Sequence, residues 1–512
     1  MQNNVTLTDN IKSIGIIGGG SAGYFSALYL KKKFPEIDIT LVESSSIPII
    51  GVGEATTPLI MNFLHKTLGY STQEFFQKTK PTLKLGVKFE FGKKENTSFN
   101  NPFGTLDLLS TMFQHKNINN CNISSMLMTA NKAPFLKINN KITPLKLDTG
   151  YAYHIDNVLL VRFLKEKLIS SGCNYKDATI KEGTIFNEKE GIKTLITTDD
   201  EILKYDLYVD CSGFSSLLLG KVLKSKWIDY SSSLKTNRAI VGSRNNENNL
   251  KPYTTASTLN HGWLWNTPTQ EADHLGYVFA KEFCSDDEAF SELKKHCNTI
   301  NNEKVISFKT GRYENPWLGN TIAIGNSFAF IEPLESTGIH MIILQLSNLQ
   351  RAISKNKEIS NAKLNFNSIV NSNWDNLKYF IATHFKYNHK LETPFWKECQ
   401  NNIDVNEIQD YIDYFKENGP IYSDLTNPIY TKLSHDQTFR AFSYDVILTG
   451  MGLNETYYND TTKISSQNIK VLNNQFKLNQ HVVNQAISHK EALKYFENEN
   501  YDFIENWFEK TL

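Results

Sequence analysis

Three glycines near the N-terminus have the spacing that positions a diphosphate. Gly18, Gly20 and Gly23 form a Gly-x-Gly-x-x-Gly run between a predicted strand and a predicted helix. The first glycine permits a tight turn, the second lets the backbone approach a pyrophosphate, and the third lets helix and strand pack closely. Ser21 and Ala22 follow at the helix start, where free N–H groups bind anions. The run therefore predicts a dinucleotide-binding site.

Three later segments extend this site. Glu43 lies twenty residues after the last of these glycines, where a carboxylate can accept hydrogen bonds from a ribose. Asp210 and Gly213 follow another predicted buried strand, and Gly325 and Asn326 follow a further one. The last two segments resemble the second and third flavin contacts of the flavoprotein monooxygenases, with asparagine in place of the usual aspartate. The resemblance implies that the dinucleotide is FAD.

Six further segments resemble the tryptophan-halogenase-like branch of the flavin-dependent halogenases in their order and spacing. They read GVGEATTP (51–58), LKLGVKF (83–89), YAYH (151–154), GWLWNTP (262–268), EPLESTG (332–338) and ETPFW (392–396). The resemblance runs from about residue 12 to 400 and more faintly to about 455. It implies an enzyme that uses reduced FAD, O₂ and a halide to make hypohalous acid, which then halogenates an electron-rich aromatic.

The resemblance assigns the reactive roles to Lys84 and Glu335. Lys84 would hold the oxidised halogen by a hydrogen bond or as a haloamine, and an ammonium can polarise an O–X bond. Glu335 would pair with Lys84, orienting it or taking the proton from the arenium intermediate. The residues alone leave two other interpretations open. Lys84 would then lie on the solvated face of an amphipathic strand, and Glu335 would be an acid favoured at a helix start.

The halide and the flavin ring are assigned to the segments that follow. The backbone amides of Thr337 and Gly338 match the halide site of the family, because a helix start suits a small anion. Ile339 would touch the flavin ring. The residues implied on the flavin side of the passage to the lysine are Trp263, Trp265, Pro268 and Ser336. The alternative for the two tryptophans is an aromatic core cluster.

A loop over the cofactor and a set of substrate contacts complete the implied site. The loop resembles the mobile segment that covers FAD, with two of its glycines as hinges. Its residues are Gly51, Val52, Gly53, Glu54 and Ala55. The predicted substrate contacts are Phe442, Tyr444, Tyr457 and Tyr458. The substrate stays open among tryptophan, other indoles and phenols, and the halide among chloride, bromide and iodide.

Two competing functions share the cofactor segments. A flavin monooxygenase that hydroxylates an aromatic would need neither Lys84 nor the paired tryptophans. A non-catalytic FAD-binding protein would need no lysine and glutamate at these positions. The chain has no second Gly-x-Gly-x-x-Gly run for a nicotinamide domain, so a separate flavin reductase is expected to supply reduced FAD.

The elements that must position these residues predict an α/β fold. A strand over 12–17, a helix over 22–33 and a strand over 37–42 form a βαβ unit, and strict alternation predicts one amphipathic strand over 83–92. We expect an FAD-binding, Rossmann-like body of the flavoprotein monooxygenase type, with mixed sheets, over 1–355. A mainly helical C-terminal section over 356–512 would complete the substrate site.

The composition excludes several classes of function. Among 512 residues, 54 basic side chains balance 54 acidic ones, which does not favour nucleic-acid binding. The sequence has no apolar run long enough to span a membrane. Its six cysteines lack metal-ligand spacing and are typical of a reduced, cytoplasmic protein. The expected partners are the reductase and a small aromatic substrate, with a homo-oligomer left open.

Overall fold

The computed structural model describes most of the chain. The described residues are 11–48, 53–95, 98–104, 118–138, 141–147, 150–187, 190–246, 250–355, 358–421, 426–429, 438–454 and 466–497. Four of the predicted site residues, Gly51, Val52, Tyr457 and Tyr458, lie outside these ranges.

A six-stranded sheet forms the centre of the N-terminal body. Its strands, from edge to edge, are Asn174–Asp177, Asp38–Glu43, Ser13–Ile17, Leu207–Asp210, Thr321–Ala323 and Trp317–Leu318. The first five run parallel, and the last is antiparallel to its neighbour. The glycine run leads from Ser13–Ile17 into the helix Ser21–Lys33. The predicted βαβ unit and Rossmann-like fold are confirmed.

A seven-stranded sheet lies beside it. Its strands, in order, are Asn301–Ser307, Arg238–Asn245, Ala272–Phe279, Gly262–Pro268, Thr254–Leu259, Gly86–Glu90 and Phe99–Pro102. Neighbouring strands are antiparallel, except that Gly86–Glu90 runs parallel to Thr254–Leu259. This sheet carries both predicted flavin-side tryptophans and reaches, at its far edge, the neighbourhood of Glu335.

The amphipathic strand predicted over 83–92 is two strands in two sheets. Thr82–Lys84 pairs with Ala152–Asp156, which also pairs with Gly53–Ala55, whereas Gly86–Glu90 belongs to the seven-stranded sheet. Leu85 lies at the break, and its N–H donates to the carbonyl of Pro252 over 2.8 Å. The prediction of one continuous strand is therefore wrong, because the chain changes sheets at this point.

Smaller sheets and helices cover these two sheets. The remaining strands are Lys132–Ile138, Lys141–Pro144, Ile180–Asn187, Gly191–Thr197, Ile202–Leu203, Trp227–Asp229, Gly311–Tyr313, Ala329–Phe330 and Ala486–Ser488. The α-helices are Ser21–Lys33, Leu59–Met61, Thr72–Thr79, Ile123–Thr129, Asn157–Ile169, Asp286–Cys297, Gly338–Lys355, Ile359–Lys386, Pro394–Asn402, Gln409–Asn418, Ala441–Gly450, Ser466–Gln485 and His489–Glu497. No helix in the described ranges is long and apolar enough to cross a membrane.

Several helices begin at residues that satisfy their first free amides. The Asp156 side chain accepts from the amides of Val158 and Leu159 at the start of Asn157–Ile169. Ser285 and Glu288 form a reciprocal capping box at the start of Asp286–Cys297. Such side chains fix where a helix starts.

The C-terminal section is mainly helical, as predicted, and is tied to the body. From Ile359 onward the regular elements of the described residues are helices, apart from the strand Ala486–Ser488, which pairs with Lys132–Ile138. His489 accepts a hydrogen bond from the amide of Leu83, with 3.1 Å between the nitrogens. A division of the chain between 355 and 356 stays a prediction, since both parts share one hydrophobic core.

Candidate active site

A cavity of about 640 Å³ opens at the carboxyl ends of the central Rossmann strands. In open α/β sheets this crevice is the usual position of a dinucleotide. Most of the described residues predicted to contact the cofactor or the halide line the cavity. They are Gly18, Gly20, Ser21, Ala22, Glu43, Gly53, Glu54, Ala55, Gly213, Trp263, Trp265, Asn326, Ser336, Thr337, Gly338 and Ile339.

The glycine run has the geometry that a pyrophosphate requires. Gly18 has φ 124°, and a Cβ atom there would lie 2.3 Å from the carbonyl oxygen of Cys211. A Cβ atom at Gly20 would meet no described atom within 4 Å, so the backbone faces open space. A Cβ atom at Gly23 would lie 1.8 Å from the Gly18 carbonyl oxygen. This cradle fits the diphosphate of FAD.

Glu43 lies where a ribose contact is expected. Its side chain lines the cavity at the end of the strand Asp38–Glu43. One carboxylate oxygen accepts hydrogen bonds from the Tyr24 hydroxyl and from Lys165, the latter over 3.3 Å. These donors fix the carboxylate beside the cavity, which fits the predicted role.

Asp210 is held away from the cavity. Its buried carboxylate accepts hydrogen bonds from the amides of Ser212, Leu218 and Leu219, over 3.0, 2.7 and 2.9 Å. Burial raises the pKa of Asp210, against these hydrogen bonds. The carboxylate therefore orders the turn after the strand, and it is the neighbouring Gly213 that lines the cavity. This placement corrects the direct cofactor contact expected of Asp210.

Two other predicted contacts lie just behind the cavity wall. A Cβ atom at Gly325 would lie 3.2 Å from Ile342 and 3.4 Å from Ala22, so this glycine permits close packing under the cofactor. The Pro268 carbonyl accepts a hydrogen bond from Thr82 over 2.6 Å. Asn326 lines the cavity next to Gly325, and Thr267 lines it next to Pro268.

The paired tryptophans form one wall of the cavity. The rings of Trp263 and Trp265 are 5.8 Å apart at an angle of 51°. The indole N–H of Trp263 donates to Glu332 over 2.9 Å, and a Cβ atom at Gly276 would clash with Trp265 at 1.9 Å. Burial raises the pKa of Glu332 to about 7, although hydrogen bonds from Trp263 and Thr236 lower it. The wall beside the predicted flavin site is therefore crowded, with Glu332 held by the indole of Trp263.

The start of the helix Gly338–Lys355 leaves room for a small ion. The first amides of a helix have no carbonyl partner within it. A Cβ atom at Gly338 would have a carboxylate oxygen of Glu54, at 3.9 Å, as its nearest neighbour. Ser336 has φ 62°, in the left-handed region that is unfavourable for a non-glycine residue. Burial raises the pKa of Glu54 to about 7. The space fits the predicted halide site.

Lys84 lies behind Ser336, on the side of that residue away from the cofactor cavity. Its amine donates to the hydroxyl of Ser336 over 2.6 Å and to the carbonyl of Thr56 over 2.8 Å, and it lies 5.0 Å from the ring centre of Phe103. Burial lowers the pKa of Lys84 to about 7, although Glu335 raises it. Lys84 does not line the cofactor cavity, so Ser336 separates its amine from that space.

The burial of Lys84 decides between the two interpretations of its strand. Lys84 is 0% exposed, whereas Lys88 is partly exposed. Alternation had placed both lysines on one solvated face, and for Lys84 this is wrong. The break at Leu85 places the two lysines in different sheets.

Glu335 is also buried, but its partners were not predicted. It is 5% exposed, and it accepts hydrogen bonds from the Asn101 side-chain amide over 2.9 and 3.0 Å. Nε2 of His384 lies 2.8 Å from one of its oxygens. Within the described residues Lys84 and Glu335 form no direct ion pair; they are linked through Ser336, the residue next to Glu335. The expected pairing of Lys84 with Glu335 is corrected accordingly.

Three residues of this site were missed from the sequence. Asn101 and Phe103 belong to the segment around the strand Phe99–Pro102, and His384 belongs to the helix Ile359–Lys386. An isolated histidine in an apolar helix gives no signal that separates it from a core residue. Asn101 has no signal of its own either, since its contact with Glu335 spans 234 positions.

Two of the predicted substrate contacts, Phe442 and Tyr444, lie within the described residues, on the helix Ala441–Gly450. Tyr444 is buried in Ala441–Gly450, and its ring lies 5.0 Å from Phe380. Phe380 in turn lies 4.9 Å from His384. Phe442 is half-buried on the same helix. The rings of Phe380 and His384 therefore connect this helix to Glu335.

The comparisons with known proteins agree with this geometry. Residues 13–467 match the family described as tryptophan halogenase. The chain belongs to this family. The tryptophan 6-halogenase ThaL of Streptomyces albogriseolus is 28% identical over 486 residues, which cover 87% of this chain and 90% of ThaL. The tryptophan 7-halogenase RebH of Lentzea aerocolonigenes is 28% identical, covering 87% of this chain and 91% of RebH.

Solved structures give the same result. MibH, a lanthipeptide tryptophan 5-halogenase, superposes with a TM-score of 0.88 at 35% identity, covering 95% of this chain and 94% of MibH. The tryptophan 6-halogenase SttH of Streptomyces toxytricini superposes with a TM-score of 0.84 at 26% identity, covering 95% and 100%. The halogenase described here is thus a flavin-dependent enzyme that halogenates an electron-rich aromatic, and the hydroxylase alternative is not favoured.

Proposed function

We propose that this halogenase transfers an oxidised halogen through Lys84 to an indole, with Glu335 as the base. The observation that carries the proposal is the position of the Lys84 amine. It is buried, is separated from the flavin cavity by the Ser336 hydroxyl, and lies near a buried carboxylate. An amine in this position can receive a small species from the cavity while the aromatic substrate stays away from the flavin.

The cavity residues have binding and exclusion roles in this proposal. The glycine run and Glu43 would hold the diphosphate and a ribose of FAD, and the amides of Thr337 and Gly338 would hold the halide. Bound reduced flavin, supplied by a separate reductase, would react with O₂ and provide the oxidising power that turns halide into hypohalous acid. Trp263 and its neighbours would exclude an organic substrate from this space.

The capture step takes place at the Lys84 nitrogen. The Ser336 hydroxyl and the Thr56 carbonyl accept hydrogen bonds from the Lys84 nitrogen. A neutral amine has two N–H groups for these two acceptors, so its lone pair stays free. The lone pair attacks the halogen of HOX, the O–X bond breaks, and the amine proton joins the departing hydroxide to give R–NHX and water. A lowered pKa makes the neutral amine available near neutral pH.

Halogenation of the arene follows at the same place. The ring attacks the halogen, the N–X bond breaks, and its electron pair stays on nitrogen. The carboxylate of Glu335 takes the proton from the arenium carbon, which restores aromaticity, and the nitrogen regains a proton. The sum is R–NHX plus ArH giving R–NH₂ plus ArX. Asn101 holds both carboxylate oxygens of Glu335 in place.

The test is a comparison of Lys84→Met with Lys88→Met. Methionine fits the buried lysine site but cannot bind halogen, so we expect product formation to fall at least about 10²-fold. Flavin binding and hydrogen peroxide release should be unchanged. Lys88 is partly exposed and lies 5.7 Å from the Tyr253 ring, and its variant should halogenate normally. Product from Lys84→Met at the wild-type rate would refute the lysine assignment.

The indole could belong to free tryptophan or to a tryptophan residue within a peptide. In one structural comparison, identity to the lanthipeptide enzyme MibH is 35% and identity to SttH is 26%. We infer that the substrate is a tryptophan residue within a peptide. Of the predicted substrate contacts, the described residues Phe442 and Tyr444 would then lie on the indole side, with the peptide backbone outside.

This inference is tested with matched substrates. The enzyme, with a flavin reductase, would receive free tryptophan, its N-acetyl amide and short tryptophan-containing peptides, each with chloride, bromide or iodide. Mass spectrometry should find halogenated peptide and little halogenated free tryptophan. Preferential halogenation of free tryptophan would contradict the peptide assignment and leave the Lys84 chemistry intact.

A further inference from the structure

The partners of His384 define where its protons lie. This histidine is fully buried in the helix Ile359–Lys386. Its Nδ1 lies 2.9 Å from the carbonyl oxygen of Phe380, one turn earlier. A carbonyl oxygen only accepts hydrogen bonds, so Nδ1 must carry the hydrogen. The remaining nitrogen, Nε2, lies 2.8 Å from Glu335.

One proton must lie between His384 and Glu335. Without it, a nitrogen lone pair and a carboxylate oxygen would face each other at 2.8 Å in a buried site, which is unfavourable. The proton can sit on Nε2, giving an imidazolium and a carboxylate, or on the oxygen, giving two neutral groups. In both arrangements the net charge of the pair is zero.

Among the residues that the structure describes, Glu335 is the carboxylate that interacts with Lys84. The two hydrogen bonds of Lys84 go to Ser336 and Thr56, which are uncharged. The titratable groups that interact with its site are Glu335, His154 and His489. Burial lowers the pKa of His154 well below its usual value and that of His489 to about 4, so both imidazoles are neutral near pH 7. Burial has the largest effect on the pKa of Lys84, and the charge of Glu335 acts against it.

We propose that His384 is a positioning residue that shares one proton with Glu335, so that the pair carries no net charge and stabilises the ammonium form of Lys84 less than a lone carboxylate would. This inference rests on the roles proposed above for Lys84 and Glu335. His384 also helps Asn101 to hold the Glu335 side chain, because its ring is fixed by the hydrogen bond to the Phe380 carbonyl and packs against Phe89 at 5.1 Å and an angle of 48°.

The test compares the pH dependence of halogenation in the wild type and in His384→Gln. Capture by a neutral amine predicts a rate that rises with pH, with a midpoint set by Lys84. Glutamine removes the imidazole and its charge, so an ionised Glu335 should then move that midpoint up by about one pH unit. The rate near pH 7 should fall about fivefold and recover at higher pH, because the neutral fraction of an amine with a midpoint near 7 drops by this factor when the midpoint rises by one unit. A merely structural role would lower the rate at every pH and leave the midpoint in place.

An alternative substitution and a control variant accompany this test. In His384→Asn the shorter side chain keeps an amide near the Phe380 carbonyl but does not reach Glu335. This variant should show the same upward shift of the pH midpoint, and it replaces His384→Gln if that variant folds poorly. His65→Gln is the control, because His65 is a half-buried histidine whose two ring nitrogens also have hydrogen-bond partners, in Tyr70 and Tyr153. The midpoint of this variant should equal that of the wild type.

A double variant shows whether His384 acts through Glu335. In Glu335→Gln/His384→Gln no charge remains to act on Lys84, so the midpoint should return to that of Glu335→Gln alone. A shift that persists in the double variant would overturn the proposal, and so would the absence of a shift in both His384 variants.

A readout without flavin separates this inference from the proposed function. Lysine labelled with ¹³C at Cε would be titrated by NMR in the flavin-free protein, with Lys84→Met identifying the resonance. The Lys84 midpoint should rise by about one unit in His384→Gln, and an unchanged midpoint would contradict the inference. This measurement stays valid even if Lys84→Met continued to halogenate, a result that would refute the proposed function instead.

Discussion

At the scale of single residues, burial controls the acid–base chemistry of the candidate site. It lowers the pKa of Lys84 to about 7 and raises the pKa values of Glu54 and Glu332 to about 7. Each shift has the same physical cause, since a low-dielectric environment disfavours the charged form. Groups titrating near neutral pH are typical of sites that move protons. The sequence predicted Lys84 by resemblance, but its burial came from the structure.

The substitution Glu335→Gln tests the proposed base. An amide cannot take the arenium proton, so we expect the halogenation rate to fall about 10²–10⁴-fold, the range for a positioned acid–base group. Flavin oxidation and hydrogen peroxide release should be unchanged, because both precede the step at Glu335. Steady-state assays of product and peroxide measure both effects. A wild-type rate would assign Glu335 a structural role.

At the scale of elements, short segments position the reactive groups by changing direction. The break at Leu85 moves the chain between two sheets and turns Lys84 inward. The turn at Ser336 separates the flavin cavity from the Lys84 amine just before the helix Gly338–Lys355. The glycine run joins the strand Ser13–Ile17 to its helix. Residue patterns identified the glycine turn, because glycine spacing is local, but could not show the other two.

A matched pair of glycine substitutions tests the packing of the first helix. In Gly23→Ala the new methyl would lie 1.8 Å from the Gly18 carbonyl oxygen, so the helix must move. We expect a loss of about 1–3 kcal/mol in stability and much weaker FAD binding. Gly20→Ala meets no described atom within 4 Å and should keep its stability. Thermal unfolding and flavin titration measure the two effects. Equal unfolding temperatures for both variants would contradict the packing argument.

At the scale of the whole molecule, buried histidines make the fold sensitive to acid. Burial lowers the pKa values of His65, His340 and His489 to about 4, and that of His154 well below its usual value. Between the folded and unfolded pKa values the unfolded chain binds protons that the native state does not. Stability is therefore present above about pH 6.5 and is lost as the pH falls toward 4.

Two carboxyl groups that line the cavity act in the opposite direction. Glu54 and Glu332, whose pKa values are about 7, bind protons in the native state between about pH 4.5 and 7. The histidines with lowered pKa values outnumber the carboxyl groups with raised pKa values, so the unfolded chain binds more protons than the native state in the mildly acidic range. Urea unfolding should give a lower free energy of unfolding at pH 5 than at pH 7. His489→Gln should reduce the difference, and equal or greater stability at pH 5 would contradict this balance.

The sequence by itself determined the cofactor fold and most of the cavity. Glycine spacing, an acid at the end of a strand and the family-like segments are local patterns, and local geometry is enough to produce a turn or a helix start. The same patterns assigned Asp210 to the cofactor, although its carboxylate is used by the turn that follows it.

Only the tertiary structure decided the surroundings of Lys84 and Glu335. The contact between Glu335 and His384 spans 49 positions, and those of Asn101 with Glu335 and of Lys84 with Ser336 span 234 and 252. Such contacts depend on how sheets and helices pack, which a single sequence does not express. Because charge and burial at a site are set by these distant neighbours, the acid–base properties of its residues were fixed only when the chain had folded.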